Sequence, residues 1–478
     1  MIEREQGCIK IPKEQQKEKE LDLSLSPEVM NELASMRFFW EIVPAIKCNF
    51  KCLNCYAGDN ARPDNRLLSW DEMKMALDRA IHLGIRQVDI LGGEPLTYRY
   101  LEKFIEYFKS NVHDGFCGVV SNGSLVTKER ARSLFNSGLD QLSISLDGTE
   151  AEINDANRGR GMFKKALGGI ENALDAGIPL TIAYTITPFN TEDTPNLFPF
   201  VQELGAKALA VQITEMVGRA KRTLSEINSF NRSEGLKAIC RMYYLRPSIY
   251  TEVSTRSLFK EFLNHFFNAG LTIPDVRCDG GWETFMVSSG GDLYPCSEYA
   301  YFSDGRQKNE GLNLVSTDSD KVTEFVKNRY VKFNDKMRLL EEKQFTSCQE
   351  CAYRSSCAPC PLVNPPGVVP ECEWVKFQTG KLNAKILRSN IKLVREPVVT
   401  TDSEISFLVP TQKEPLIVFM SGRDLRQIET LGSVSQVVEL FKRGREDDKN
   451  VENKVVGFLC KLRSHQIIEI EGFETFLD

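Results

Sequence analysis

Residues 45–59 read AIKCNFKCLNCYAGD, which places Cys48, Cys52 and Cys55 in a C-x3-C-x2-C triplet followed directly by Tyr56. Three thiolates on one short loop hold three irons of a [4Fe–4S] cube and leave the fourth iron open. The competing chemistry is zinc, because closely spaced cysteines also make zinc knuckles, but a closed zinc site needs a fourth Cys or His. The first histidine downstream is His82, so no fourth ligand lies nearby. The triplet is therefore expected to carry an iron–sulfur cube with one open corner.

At 478 residues the chain exceeds one ordinary core, which predicts two or three domains. Hydrophobic content of 42% and charged content of 26% suit a globular protein in water. A net charge of −6 and a pI near 5.6 leave no basic footprint for nucleic acid, which is not the expected partner. Residues 1–20, MIEREQGCIKIPKEQQKEKE, are studded with charge and have no apolar run, so neither a signal peptide nor a membrane anchor is expected. No other run approaches the length that spans a bilayer, and the expected location is the cytoplasm. There, 14 cysteines argue for metal ligation rather than disulfides. Cys8, Cys117, Cys240 and Cys460 stand outside the grouped cysteines and read as buried or incidental thiols.

Around the triplet, strand and helix patterns alternate. Arg37 to Pro44 reads as a strand, the cysteine loop follows, and Ser69 caps a helix with Met73, Ala76, Leu77, Ala80 and Ile81 at helical spacing. Further strands are predicted at Gln87 to Leu91, Gly118 to Ser121, Gln141 to Leu146, Leu180 to Ile186 and Leu209 to Ile213. Helices are predicted at Tyr100 to Ser110, Lys128 to Asn136 and Phe163 to Ala176. Such alternation makes a parallel α/β layer whose functional groups gather at the C-terminal ends of the strands. Six strand and helix pairs rather than eight predict an open, partial barrel of TIM type, a (β/α)6 core.

The triplet and the segments at these strand ends resemble the radical S-adenosylmethionine (SAM) superfamily over residues 37–250. In that family the open iron is chelated by the amino and carboxylate groups of SAM, and reductive cleavage yields a 5′-deoxyadenosyl radical. By this resemblance Cys48, Cys52 and Cys55 ligate the cluster and carry the catalysis. Gly92, Gly93, Glu94 and Pro95 form the GGEP segment that binds the SAM ammonium, its glycines allowing close backbone approach. Ser121 and Asn122 of the SNG turn, together with Ser145 and Asp147 of SISLDG, line the SAM site. Arg158 meets the SAM carboxylate, with Arg160 as its rival, and Tyr56 lines the adenine pocket.

Downstream, Cys278, Gly291 and Cys296 are followed by Cys348-x2-Cys351-x5-Cys357-x2-Cys360 and by Cys372. This pattern resembles the seven-cysteine SPASM extension, which houses one or two auxiliary [4Fe–4S] clusters; zinc ribbons use the same paired C-x2-C units. The resemblance implies that Cys348, Cys351, Cys357 and Cys372 hold an outer cluster and Cys278, Cys296 and Cys360 an inner one. The inner set lacks an upstream cysteine, so its last corner is open, closed by Cys240, or closed by a non-Cys ligand. The Cys357–Cys360 spacing is one residue shorter than the usual family form. Sulfatase-maturing relatives carry an Asp base after the cysteine matched by Cys296. Here Ser297 stands there, a poor base at neutral pH, followed by Glu298, which is the candidate substitute.

Residues 381–396 read as a helix. Beyond them Ile405 to Val409 and Leu416 to Met420 read as a hairpin; Val434, Val437, Val438 and Phe441 mark one helix, Val451, Val455, Leu459 and Leu462 another, and Gln466 to Ile470 a closing strand. The order resembles winged-helix leader-peptide binders, like the small carrier protein of pyrroloquinoline-quinone synthesis. A DNA-reading winged helix and a passive cap are the alternatives. The expected organisation is an N-terminal extension (1–36), a radical SAM core (37–250), a SPASM domain (251–380), a helical linker (381–400) and a winged-helix-like domain (401–478). The expected function is a peptide maturase that abstracts hydrogen from a ribosomally made precursor and forms a thioether or carbon–carbon cross-link, with electrons from a flavodoxin or ferredoxin-type donor. The alternatives are oxidation of a small-molecule haem or quinone precursor, side-chain oxidation of the sulfatase-maturase type, and a non-enzymatic iron–sulfur electron-transfer or DNA-binding protein.

Overall fold

The structure is a computed structural model. It describes residues 4–5, 8–9, 36–58, 66–224, 232–244, 250–254, 256–273, 280, 284–302, 312–326, 339, 343–345, 348, 351, 369–388, 391–393, 399–400, 404–409, 416–421, 433–442, 450–464, 468–470 and 473. The chain divides into two compact units: Met1–Asp193 with Phe200–Phe230 and Pro274–Val369, and Thr194–Pro199 with Asn231–Ile273 and Pro370–Asp478.

The first unit is built on parallel strands in sequence order. Strands β1 (Met36–Val43), β2 (Ile85–Gly92), β3 (Phe116–Ser121), β4 (Gln141–Ser145), β5 (Leu180–Ile186) and β6 (Ala208–Ile213) pair each with the next, all parallel. Helices α1 (Trp70–His82), α2 (Leu101–Asn111), α3 (Lys128–Asn136), α4 (Ala151–Arg158), α5 (Met162–Asp175) and a short helix at Leu197–Glu203 fill the connections, and α6 (Gly218–Thr223) follows β6. This is the mixed α/β, TIM-like core that the alternation predicts, because a strand, helix, strand unit returns its next strand parallel to the first. Every predicted strand of the core is present within a residue or two.

The two faces of the sheet differ. On one, Phe38, Trp40 and Ile42 of β1, Val88 and Ile90 of β2, and Leu142 and Ile144 of β4 are buried under helices. Trp40 meets Phe104 of α2 edge to face at 5.2 Å. Residues of the other parity, such as Arg37, Gln87 and Ser143, are only half-buried. The helices are anchored locally as well. Ser69 and Glu72 form a reciprocal capping box at the start of α1, and the Thr127 hydroxyl accepts from the Arg130 amide at 3.1 Å to start α3.

A strand that the sequence pattern does not mark lies on the other side of β1. There β7 (Thr284–Val287) pairs parallel with β1, β8 (Asp292–Tyr294) folds back antiparallel, and β9 (Leu312–Asn313) follows. Gly291, at φ +92°, makes the turn between β7 and β8. A short helix, Ser297–Phe302, follows β8 and carries Glu298 in its first turn.

The second unit is helical with small sheets. Helices α7 (Arg232–Tyr244), α8 (Ser257–Phe267), α9 (Pro370–Leu387), α10 (Val434–Lys442) and α11 (Val451–Ser464) pack together. Phe259 and Phe262 of α8 meet Trp374 of α9 at 6.0 Å each. Arg256 and Arg232 both reach the buried Glu371 carboxylate, by main-chain N–H at 3.0 Å and Nε at 2.8 Å. The predicted hairpin is present as β12 (Glu404–Val409) and β13 (Leu416–Ser421), joined by β11 (Val399–Thr400). The closing strand β14 (Ile468–Ile470) pairs with β10 (Ile391–Leu393). The helix expected over 381–396 therefore stops at Leu387, and its last residues are a strand whose partner lies some seventy-five residues away, which no local pattern specifies. Residues 231–273 share a compact unit with the C-terminal segment, a grouping different from the boundaries read at 250 and 380.

Candidate active site

The cysteine loop leaves the C-terminal end of β1 through a single 3-10 turn, Ala45–Lys47, which the Glu41 carboxylate holds by accepting from the Ala45 amide at 3.1 Å. Three other strand ends then hold the loop. From β3, Asn122 donates to Asn49 at 2.8 Å, and Asn49 in turn donates to Ser124 at 3.0 Å. From α4, the Asn157 carbonyl accepts from the Leu53 amide at 3.0 Å and its side chain from the Asn54 amide at 3.1 Å. From α6, after β6, Arg219 donates to the Cys52 carbonyl at 3.0 Å and the Gly58 carbonyl at 3.2 Å, while Thr223 donates to the Leu53 carbonyl at 2.6 Å.

The end of β2 lies directly under the loop. Gly92, at φ +136°, and Gly93 have no room for a side chain, since a Cβ on Gly93 would sit 2.8 Å from the Pro44 carbonyl and 2.9 Å from the Cys48 amide. Gly93 donates to the Val43 carbonyl at 2.7 Å, and Pro95 starts the following 3-10 turn. The Glu94 carboxylate is fully buried and accepts from the Leu96 amide, the Ser121 hydroxyl at 2.7 Å and the Asn122 amide at 2.8 Å. It thus ties the GGEP and SNG turns together; burial raises its pKa and these donors oppose the rise.

Asp147 is a second buried strut. One carboxylate oxygen accepts from the Thr185 amide at 2.9 Å; the other takes Asn157 at 2.6 Å and Arg158 Nε at 2.7 Å. Arg158, expected at the SAM carboxylate, is thereby held on Asp147 beside Cys52, whereas Arg160 is exposed. Burial pushes the Cys52 thiol up to about 11, opposed by that guanidinium; burial likewise raises Cys48, opposed by the Phe50 amide that donates to its sulfur at 3.4 Å. A cation and an N–H beside these sulfurs are what ligated thiolates require. Among the described residues no three Cys, His, Asp or Glu side chains converge on one point as a single ion needs, while in a cube each thiolate takes a different iron. Donor type, spacing and local charge therefore fit a cluster at Cys48, Cys52 and Cys55, with SAM at the adjoining strand ends.

Tyr56 packs on Tyr301, ring centroids 4.9 Å apart, in an apolar group with Ala45, Ala57 and Met286. Burial pushes its phenol well above the usual range, and Glu298 nearby adds to the rise, while Ser297 hydrogen-bonds it. The structure thus brings Glu298, Ser297 and Cys296 to the edge of the cysteine loop. Ser145 is half-buried at the end of β4.

Of the other cysteines, Cys348 and Cys351 lie in the first unit and are half-buried, the Cys351 amide donating to the Cys348 carbonyl at 3.2 Å. Cys372 lies on α9 in the second unit. Cys278, Cys357 and Cys360 are outside the described residues. Cys240 is fully buried on α7, and burial raises its thiol, as it does those of Cys117 and Cys460. The residues that sequence reasoning missed are Asn49, Asn157, Arg219 and Thr223. Only Arg219 had a signal, a basic residue just after the last barrel strand.

Residues 42–200 match the family model described as the radical SAM superfamily. A protein of Nitratidesulfovibrio vulgaris named AdoMet-dependent heme synthase is 26% identical over 338 residues, covering 67% of this chain and 86% of its own. Fe-coproporphyrin III synthase of Methanosarcina barkeri is 31% identical over 189 residues, 39% of this chain and 46% of that protein. The solved structure of native anSMEcpe with bound AdoMet superposes with a TM-score of 0.53 at 17% identity, covering 71% of this chain and 95% of that one, a likeness of fold.

Proposed function

We propose, from the match of residues 42–200 to the radical SAM superfamily model, that this chain is an enzyme of that superfamily and that it abstracts hydrogen from an unactivated carbon of a ribosomally made peptide, joining that carbon to a sulfur or to another carbon. When bound, the cluster and SAM supply the 5′-deoxyadenosyl radical. The chain's own residues hold that chemistry in place: Cys48, Cys52 and Cys55 as ligands, and the Glu94 and Asp147 struts to fix the turns around them. Cross-linking removes a proton as well as an electron, and we assign that proton to the Glu298 carboxylate, which lies near Tyr56. The electron sink is assigned to auxiliary clusters at Cys278, Cys296, Cys348, Cys351, Cys357, Cys360 and Cys372 in a SPASM-type arrangement, and the electron source to a flavodoxin or ferredoxin-type partner. No described helix is long and apolar enough to cross a membrane, and we place the reaction in the cytoplasm.

The observation that carries the peptide reading is the C-terminal hairpin. In its sheet the order is β11, β12, β13, so among the described residues β13 is an outer strand to which a leader peptide can add by main-chain pairing. Deleting residues 401–478 tests this. Uncoupled SAM cleavage is expected to continue at near-parental rate while turnover of the full precursor falls, since the lost module raises local peptide concentration without touching the reacting carbon. Equal turnover of the precursor by the truncated enzyme rejects the docking role.

A second reading, oxidation of a tetrapyrrole side chain, is favoured by the relatives named for haem and Fe-coproporphyrin synthesis. Incubation with SAM, reductant and Fe-coproporphyrin III tests it, loss of mass from the porphyrin being the outcome that would replace the peptide.

A further inference from the structure

Each thiol of the cysteine triplet has a cation near it, and the cations come from three different places in the fold. Lys51 of the loop itself lies near Cys48. Arg158, at the end of α4, lies near Cys52 and Cys55. Arg219, on α6, meets Cys55 from another side. A Cβ built on Gly58 would sit 2.7 Å from Arg219 Nη2 and 2.9 Å from Cys55 Sγ, so guanidinium and sulfur face one another across a residue without a side chain. The Arg219 amide donates to the Cys55 carbonyl at 2.9 Å, while Nη1 and Nη2 donate to the Cys52 carbonyl at 3.0 Å and the Gly58 carbonyl at 3.2 Å. These bonds hold the charge in place.

The cations are not equivalent. Lys51 is exposed, where water and salt screen it. Arg158 is buried, but the Asp147 carboxylate, 2.7 Å from its Nε, cancels most of its field. Arg219 is only 8% exposed, and what its guanidinium meets in the loop are main-chain carbonyls, which take its hydrogen bonds without cancelling its charge. A cube held by thiolates is net negative. One electron from a flavodoxin or ferredoxin-type carrier makes it more negative by one unit, with no bond made or broken and no proton moved. A buried cation beside a ligand sulfur stabilises the more negative state more and so raises the potential.

On the reading that the triplet holds a SAM-binding cube, we propose that Arg219 tunes the reduction potential of that cluster and that Gly58 is the gap through which its charge acts. The guanidinium is then an electrical partner of Cys55 as well as a clamp on the loop.

Redox titration of the reconstituted enzyme tests this. The readout is the electron paramagnetic resonance signal of the reduced cluster that shifts when SAM is added, titrated in the absence of SAM; that shift marks the cube with the open iron. Arg219→Gln keeps an N–H donor for the carbonyls and removes the charge. It is expected to lower the midpoint so that the reduced-to-oxidised ratio at a given potential falls about tenfold, roughly 59 mV for one electron. Arg219→Lys keeps the charge and Lys51→Gln removes a screened one, so each is expected to stay within about threefold of the parental ratio. A midpoint belongs to the clusters that form, so partial iron loading leaves it unchanged, whereas a purely structural clamp would alter loading alone. Should Arg219→Gln form no cluster, Gly58→Ala, whose methyl pushes the guanidinium from the sulfur, is expected to move the midpoint in the same direction. A parental midpoint in the variant that loads, or an equally large fall in Arg219→Lys or Lys51→Gln, overturns the proposal. A parental enzyme with no SAM-responsive signal overturns the radical SAM assignment and this proposal with it.

Discussion

The Arg219 guanidinium, which follows β6, donates to the main-chain carbonyl of Cys52, 167 residues earlier, at 3.0 Å, and the Arg219 amide donates to the Cys55 carbonyl at 2.9 Å. Gly218, at φ +56°, brings that segment so close to the Tyr56 carbonyl that no side chain fits between them. The last barrel strand therefore holds the loop that the first one launches.

Arg219→Met is expected to loosen the loop. Loss of charged donors to buried carbonyls costs about 1–3 kcal/mol, and the loop should become sensitive to proteolysis around residues 48–58 in the unreconstituted protein. Iron uptake should fall several-fold, and Arg219→Lys should recover part of it. Parental protease resistance and iron content in Arg219→Met would show that the clamp is incidental.

Cys48→Ala, Cys52→Ala and Cys55→Ala are each expected to abolish 5′-deoxyadenosine formation after anaerobic reconstitution. With all three replaced, a chain that also holds two auxiliary cubes should keep roughly eight of about twelve irons. Metal analysis that finds zinc in place of that remainder would remove the auxiliary clusters from the proposal.

Asp147→Ala should destabilise the core by about 3–5 kcal/mol, because it strands the Arg158 guanidinium without its buried partner. Arg160→Ala, on an exposed side chain, should leave both unfolding and SAM affinity unchanged. A large loss of SAM affinity in Arg160→Ala would move the carboxylate contact to that residue.

Ser69→Ala is expected to cost about 1 kcal/mol through loss of the α1 cap. The cap also predicts a pH dependence. Arg66, first among several donors, holds the Glu72 carboxyl well below its usual range, at about 2. A carboxyl depressed in the folded state stabilises fully above its unfolded value near 4.5 and loses that contribution as pH falls toward about 2. Glu72→Gln should accordingly lower the thermal midpoint at pH 7, with the gap closing across that window. A gap that is constant from pH 7 to pH 2.5 would contradict the assignment.

Much of the site was legible because its chemistry is written in short spacings. The cysteine triplet, GGEP and the SNG turn each sit within a few residues, and each lands at the end of a strand whose apolar spacing is itself visible. The partners that hold them were less legible. Glu94 and Arg158, expected at SAM, are anchored in the structure by Ser121 and Asn122 and by Asp147. Such pairings join residues 11 to 28 positions apart, with no fixed spacing, and a lone Asp or Arg in a sequence does not announce its partner.

By itself the sequence determined the local features of this protein: the six parallel strands of the core and the helices that match α1, α2, α3 and α5, the cap at Ser69, and the donor set that can hold a cluster. These depend on periodicity and on neighbours a few residues away, so one chain read once suffices. Tertiary structure alone decided that β7 closes against β1, that Arg219 grips the cysteine loop, that β14 pairs with β10, and that residues 231–273 share a unit with 370–478. The physical reason is that each of these is a contact between segments remote in the chain, chosen by burial and hydrogen bonding that exist only once the chain has folded.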